Sequence, residues 1–140
     1  MKQDLIAPCG VNCAVCSAYQ QEENKCNGCR SDEIPPSPQC ERCFIRGCER
    51  IETFYLHHCY ECARFPCLRY RLRDLQFRKN IRVSPLRNLQ FIRDKGMDAF
   101  LEREEKRWNC IRCGEPRSMQ NKACTSCGHV RGSANNETAE

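Results

Sequence analysis

Ordinary apolar residues are scarce in this chain of 140 residues. Hydrophobic types make up 40% of it, but 15 of those 56 residues are cysteine, which leaves 41 conventional core-forming side chains. So thin a supply excludes a large self-sufficient core and predicts a fold that relies on structural metal, whose binding free energy becomes folding free energy. No segment approaches the ~20 apolar residues of a membrane span, and Met1–Pro8 holds no run long enough for a signal peptide. Glycine and histidine are also few, at 7 and 3. The chain has no glycine-rich phosphate loop, no His-Glu zinc-protease motif and no nucleophile beside a base in a recognisable motif, so enzymatic catalysis has little support. Nothing alternates strand and helix, which counts against a βα barrel.

Cysteine is the residue in excess. Six Cys-x-x-Cys pairs occur: Cys13/Cys16, Cys26/Cys29, Cys40/Cys43, Cys59/Cys62, Cys110/Cys113 and Cys124/Cys127. A two-residue gap lets both thiolates of one turn point at a single ion, and two such knuckles complete a tetrahedral site. Cysteine at this density also occurs in secreted disulfide scaffolds. The odd count and the lack of an export signal point instead to a reducing cytoplasm with metal-held thiolates.

Three segments and a tail are expected. Residues 1–67 form a cysteine-rich metal-binding region, with an extended linker around Pro35-Pro36-Ser37-Pro38. Residues 68–107 contain no cysteine and read as three helices packing on it. In the first, Leu68, Leu72 and Leu75 repeat at i, i+4 and i+7 and predict an inward apolar face. The second has Ser84 as N-cap and Pro85 at its first position, turns Leu86, Leu89 and Ile92 inward, and ends at Arg93, Lys95 and Gly96. The third runs from about Asp98 to Arg107, with Met97, Phe100, Leu101 and Trp108 at helical spacing. Residues 108–129 make a short β zinc ribbon, and 130–140 a disordered tail. The fold class is thus a small, metal-stabilised, α-rich protein.

The ribbon ligands are the most specific signal: Cys110 and Cys113 followed by Gly114, then Cys124 and Cys127 followed by Gly128. Each glycine permits the turn that aims amide groups at sulfur. Nearer the start, Cys13, Cys16, Cys26 and Cys29 have the spacing of a four-thiolate site, with Cys9 beside them. Cys9, Cys13 and Cys16 also carry the spacing of a radical S-adenosylmethionine cluster motif, without the barrel such enzymes need. A second N-terminal site or cluster is expected from Cys43, Cys48, Cys59, Cys62 and Cys67, with Cys40 as an accessory thiol. His57 and His58 adjoin Cys59 and read as a solvated loop pair. Two or three zinc ions would be held in all. The alternative is a [4Fe-4S] cluster within residues 9–67, although the standard Cys-x2-Cys-x2-Cys-x3-Cys run is absent.

Charge is uneven. Residues 68–107 carry 12 basic and 6 acidic side chains, against 7 and 9 in residues 1–67. Arg69, Arg73, Arg78, Lys79 and Arg82, interleaved with Tyr70 and Phe77, offer a possible surface for nucleic acid or a protein partner. The formal +5 is weak support for nucleic acid, because three four-thiolate zinc sites, at −2 each, would turn it into −1.

The string Cys9-Gly10-x2-Cys13-x2-Cys16, Cys26-x-Gly28-Cys29, Cys43-x-Ile45-Arg46-x-Cys48 and Cys59-x-Glu61-Cys62-x2-Phe65-Pro66-Cys67 resembles a family of prokaryotic cysteine-rich proteins catalogued as a domain of unknown function. The resemblance covers roughly residues 7–72, and longer members append helices and a zinc ribbon. It implies a zinc or iron–sulfur role with no established reaction, and Cys40 falls outside its pattern. The expected function is that of a cytoplasmic metal-binding interaction or regulatory module, zinc favoured, with an iron–sulfur electron-transfer protein as the alternative and a nucleic-acid-binding zinc protein behind it.

Overall fold

A computed structural model describes residues 1–32 and 42–131. The expected proline-rich linker, the accessory Cys40 and most of the expected tail lie outside the described residues. Within them the α-helices are α1 (Ser17–Gln20), α2 (Glu49–Thr53), α3 (Leu68–Ile81), α4 (Pro85–Lys95) and α5 (Met97–Trp108). Single 3-10 turns occur at Gln3–Leu5, Cys13–Val15 and Cys59–Glu61.

Local sequence explains α4 well. The Ser84 hydroxyl accepts from the Arg87 N–H at 3.2 Å, Pro85 occupies the first turn, and Gly96 closes the helix at φ +91°. These are the standard start and stop devices of a helix. Leu89 and Ile92 are buried as expected, and in α5 Phe100 and Trp108 are buried with them.

α3 departs from expectation. Leu68, Leu72 and Leu75 are 73%, 52% and 53% exposed, whereas Tyr70 and Asp74 are each only 2% exposed. Two stripes of equal period compete on this helix, and the aromatic one turns inward. The Tyr70 hydroxyl donates to the Cys9 carbonyl at 2.7 Å, and its ring meets Phe65 edge-on with centroids 5.0 Å apart. Asp74 can follow it inward because its charge is satisfied. It accepts from the Ser84 hydroxyl at 2.8 Å and the Leu86 N–H at 2.9 Å, and pairs with Arg78 at 2.9 Å. A buried charge persists only with such partners, and here the partners are the first residues of α4.

The core is shared between the cysteine-rich segment and the helices. Ile6, Ala7, Cys9, Val11, Cys13 and Ile45 pack with Tyr70, Leu89, Ile92 and Phe100. A smaller cluster joins Val15, Val83 and Trp108. Polar anchors fix the Cys9–Asn12 turn from three helices at once. Besides the Tyr70 bond, Asn88 of α4 donates to the Gly10 carbonyl at 3.0 Å, and Asn12 donates to Glu104 of α5 at 3.2 Å. Glu104 also accepts from the Trp108 indole at 2.9 Å, and Arg103 donates to the Asn88 side-chain oxygen at 2.9 Å. Bonds of this kind specify one arrangement of turn against helices, because any other would bury an unpaired amide or carboxylate.

Candidate metal centre

The two C-terminal knuckles repeat one another bond for bond. The Cys110 N–H donates to the Glu115 carbonyl at 2.9 Å and the Gly114 N–H returns to the Cys110 carbonyl at 2.8 Å. In the second knuckle Cys124 N–H meets the His129 carbonyl at 2.9 Å and Gly128 N–H the Cys124 carbonyl at 2.8 Å. Gly114 and Gly128 take φ +79° and +74°, the region that glycine enters without penalty.

These knuckles bring four sulfurs together. The Sγ atoms of Cys110, Cys113, Cys124 and Cys127 all lie within 4.8 Å of one another, with Cys110–Cys127 and Cys113–Cys124 at 3.7 Å each. Metal–sulfur bonds of about 2.3 Å around a tetrahedral ion give sulfur–sulfur edges of about 3.8 Å. The tetrad therefore has the size of a single tetrahedral ion. Amide groups of Cys113 and Arg112 hold the Cys110 thiol down at about 6 and those of Cys127 and Ser126 lower Cys124, while burial and the neighbouring sulfurs raise Cys113, so the backbone favours thiolate at two of the four positions.

A continuous β-ribbon does not form among the described residues. Each knuckle closes with a lone antiparallel bridge, Asn109 to Pro116 and Ala123 to Val130. The connecting segment spends its hydrogen bonds elsewhere. Met119 N–H donates to the Val15 carbonyl at 2.8 Å, the Gln120 side chain accepts from Ser17 N–H at 2.9 Å, and Gln20 donates to the Pro116 carbonyl at 3.3 Å. The Met119 N–H, bonded to Val15, is withdrawn from any ladder between the knuckles.

Farther up the chain, Cys59 is surrounded by thiols. Burial pushes its pKa well up, and the neighbouring Cys9, Cys48, Cys67 and Cys62 push in the same direction. Cys9 is raised to about 11, again chiefly by burial, with Cys43 adding to the rise and Arg73 opposing it. Of the thiols expected as one group, Cys48, Cys62 and Cys67 act on Cys59 together with Cys9, while Cys43 acts on Cys9. The Cys59 N–H explains the association with Cys9, since it bonds to the Pro8 carbonyl at 2.9 Å. Arg50 donates to the Cys62 sulfur at 3.1 Å and lowers that thiol. Nothing in the spacing of the sequence marked Arg50 for this contact. Within this set Cys9 is buried and Cys59 partly so, whereas Cys67 is exposed, and a bound cation is what converts buried thiols to thiolates. Among the described residues no three of their sulfurs approach as closely as those of the C-terminal tetrad.

Cys13 and Cys26 are buried, Cys16 and Cys29 half-buried. Their knuckles lie side by side: a Cβ on Gly28 would fall 3.9 Å from that of Cys13. Of the histidines, His58 is buried rather than solvated. Burial and the adjacent Arg30, at 3.3 Å from Nε2, lower its pKa to about 4 and keep it neutral. Among the basic residues, Arg69, Lys79 and Arg82 are exposed, Arg78 pairs with Asp74, and Arg73 is half-buried with its guanidinium 5.1 Å from the Phe77 ring centre. Tyr70 is inside, so it is no stacking platform for a base.

No helix is long and apolar enough to cross a membrane among the described residues. No curated protein and no solved structure gives a significant match to the chain. The model of a family described as "Protein of unknown function (DUF3795)" matches residues 5–72, a stretch that spans Cys9 to Cys67 and ends within α3.

Proposed function

We propose that the chain is a zinc-binding interaction module of a reducing compartment, with a structural zinc held by Cys110, Cys113, Cys124 and Cys127. One observation carries this reading: the pair of 3.7 Å sulfur contacts, which match the edge of a zinc–thiolate tetrahedron. Four thiolates leave no open coordination position for water or substrate, so the ion serves the fold and the helices present the working surface. In the same reading residues 1–67, 68–107 and 108–129 are the three functional segments. Cys13, Cys16, Cys26 and Cys29 hold a second ion, and Cys9, Cys43, Cys48, Cys59, Cys62 and Cys67 supply a further site. Anomalous scattering at the zinc and iron edges from anaerobically purified protein tests it. Zinc at the C-terminal tetrad is expected; iron there, or no metal, defeats it.

An iron–sulfur redox centre at the Cys59 group is the second reading, favoured by one feature. Four thiols, those of Cys9, Cys48, Cys62 and Cys67, act on Cys59, which makes a set larger than one tetrahedral ion takes. The Arg50 N–H directed at Cys62 is also of the type that tunes cluster potentials. Visible absorbance from anaerobic protein that disappears in Cys59→Ser is the expected sign. Colourless protein carrying only zinc removes this reading.

A further inference from the structure

Among the described residues no element covers the outward stripe of α3. Leu68, Leu72, Leu75 and Lys79 fall at i, i+4, i+7 and i+11, one line along the helix. The three leucines are all more than half exposed. Arg71 and Arg78 run along one side of this line, Arg82 follows as the left-handed C-cap of the helix, and Arg69 stands on the other side; all four are exposed, as is Lys79. The acid of this helix, Asp74, is buried and consumed by Ser84, Leu86 and Arg78. The face is therefore apolar along its centre and cationic along one margin, where Arg78 is shared with Asp74, with Arg69 alone on the other. Neither segment outside the described residues carries a matching apolar set: residues 132–140 have no apolar side chain larger than alanine, and 33–41 have Ile34 alone besides prolines and Cys40.

We infer that this face of α3 docks an acidic amphipathic helix of another protein, its apolar side chains on Leu68, Leu72 and Leu75 and its carboxylates on the flanking arginines and Lys79. Charge decides between occupants. A second copy of the chain packed by the same face would oppose cation to cation along its charged margin. Nucleic acid suits the margins but leaves phosphates over leucine, and the stacking aromatics it would need are turned away, with Tyr70 buried and Phe77 half-buried. An acidic helix satisfies centre and margins together, in the helix-to-apolar-face manner read as i, i+4 and i+7 anchors.

The inference rests on the interaction-module reading, and the test separates the two. The full metal-loaded chain is titrated with a fluorescent synthetic helix carrying leucines at i, i+4 and i+7 and glutamates beside them. Saturable binding is expected. It should weaken about tenfold in Leu72→Gln/Leu75→Gln, and Arg71→Gln/Lys79→Gln should lose most of the difference between ~50 and ~300 mM salt. Anionic phosphatidylglycerol vesicles and a single-stranded RNA serve as competing probes. Absence of peptide binding by protein that retains its zinc and helical circular dichroism overturns the docking inference alone. So does peptide binding indifferent to the leucine pair, or a tighter hold on vesicles or RNA than on the peptide. Protein that lacks zinc overturns the function reading instead.

Discussion

Gly10→Ala is the sharpest probe of how the cysteine-rich segment meets the helices. Gly10 has φ +94°, and a Cβ there would fall 2.8 Å from both the Leu89 Cγ and the Pro85 carbonyl oxygen. Pro85 is backbone at the start of α4 and Leu89 is fully buried, so neither neighbour yields cheaply. The left-handed backbone costs a side chain about 1–2 kcal/mol, and overpacking a closed site about 1–3 kcal/mol more. Relief requires α4 to draw back, which also stretches the 3.0 Å bond from Asn88 to the Gly10 carbonyl. The expected loss is about 2–5 kcal/mol, a large share of the ~5–15 kcal/mol that holds a domain folded. Gly96→Ala is the matched control, because φ there is +91° and nothing lies within 4 Å of the added carbon. Urea unfolding of both variants with metal saturating should show Gly10→Ala the weaker by about 1–3 kcal/mol, the share due to contact. Equal losses would mean that α4 does not press on the Cys9–Gly10 turn, and the packing described above would be wrong.

Cys110→Ser should lower bound metal by about one equivalent and collapse the NMR chemical-shift dispersion of residues 108–131 while the helical dichroism of α3 and α4 persists; retention of full metal content refutes the tetrad. Asp74→Ala should cost about 1.5–3 kcal/mol in chemical denaturation, since it removes charge-assisted bonds to Ser84 and Leu86 at once. Tyr70→Phe keeps the ring packing and deletes only the 2.7 Å bond to the Cys9 carbonyl, for about 1 kcal/mol. His58 is neutral when folded down to about pH 4 but takes a proton near its ordinary 6.5 when unfolded. Its burial therefore costs nothing above that pH and destabilises increasingly as pH falls toward 4. The stability of His58→Gln should decline less steeply across that window in acid titrations of unfolding, and parallel profiles would contradict a neutral buried imidazole.

Features written in short stretches of sequence were legible. Ser84, Pro85 and Gly96 bound α4 because caps and turns depend on adjacent residues. The C-terminal tetrad was legible for the same reason, each knuckle being complete within six residues. The face of α3 was not, since leucine and tyrosine stripes share one period and the choice rests on the carbonyl of Cys9, sixty-one positions away. Buried Asn12, Asn88 and Glu104 were likewise hidden, because a polar side chain in a core makes sense only beside its distant partner. The lone acid in a run of arginines was the available hint that Asp74 had a special place. The association of Cys9 with Cys59 turned on one long-range backbone bond from Cys59 to Pro8 that no spacing encodes.

The bond from Asn12 to Glu104 joins residues ninety-two positions apart, and that separation is also an interval of time. At ~5–20 residues per second, α5 leaves the ribosome about 5–18 s after the Cys9–Asn12 turn it secures. Throughout that interval Cys9 and Cys13 lack Phe100, the α5 side chain of their core cluster. The yield of folded chain in a cell should therefore depend on how well these thiols are protected during synthesis, as well as on the stability of the finished molecule.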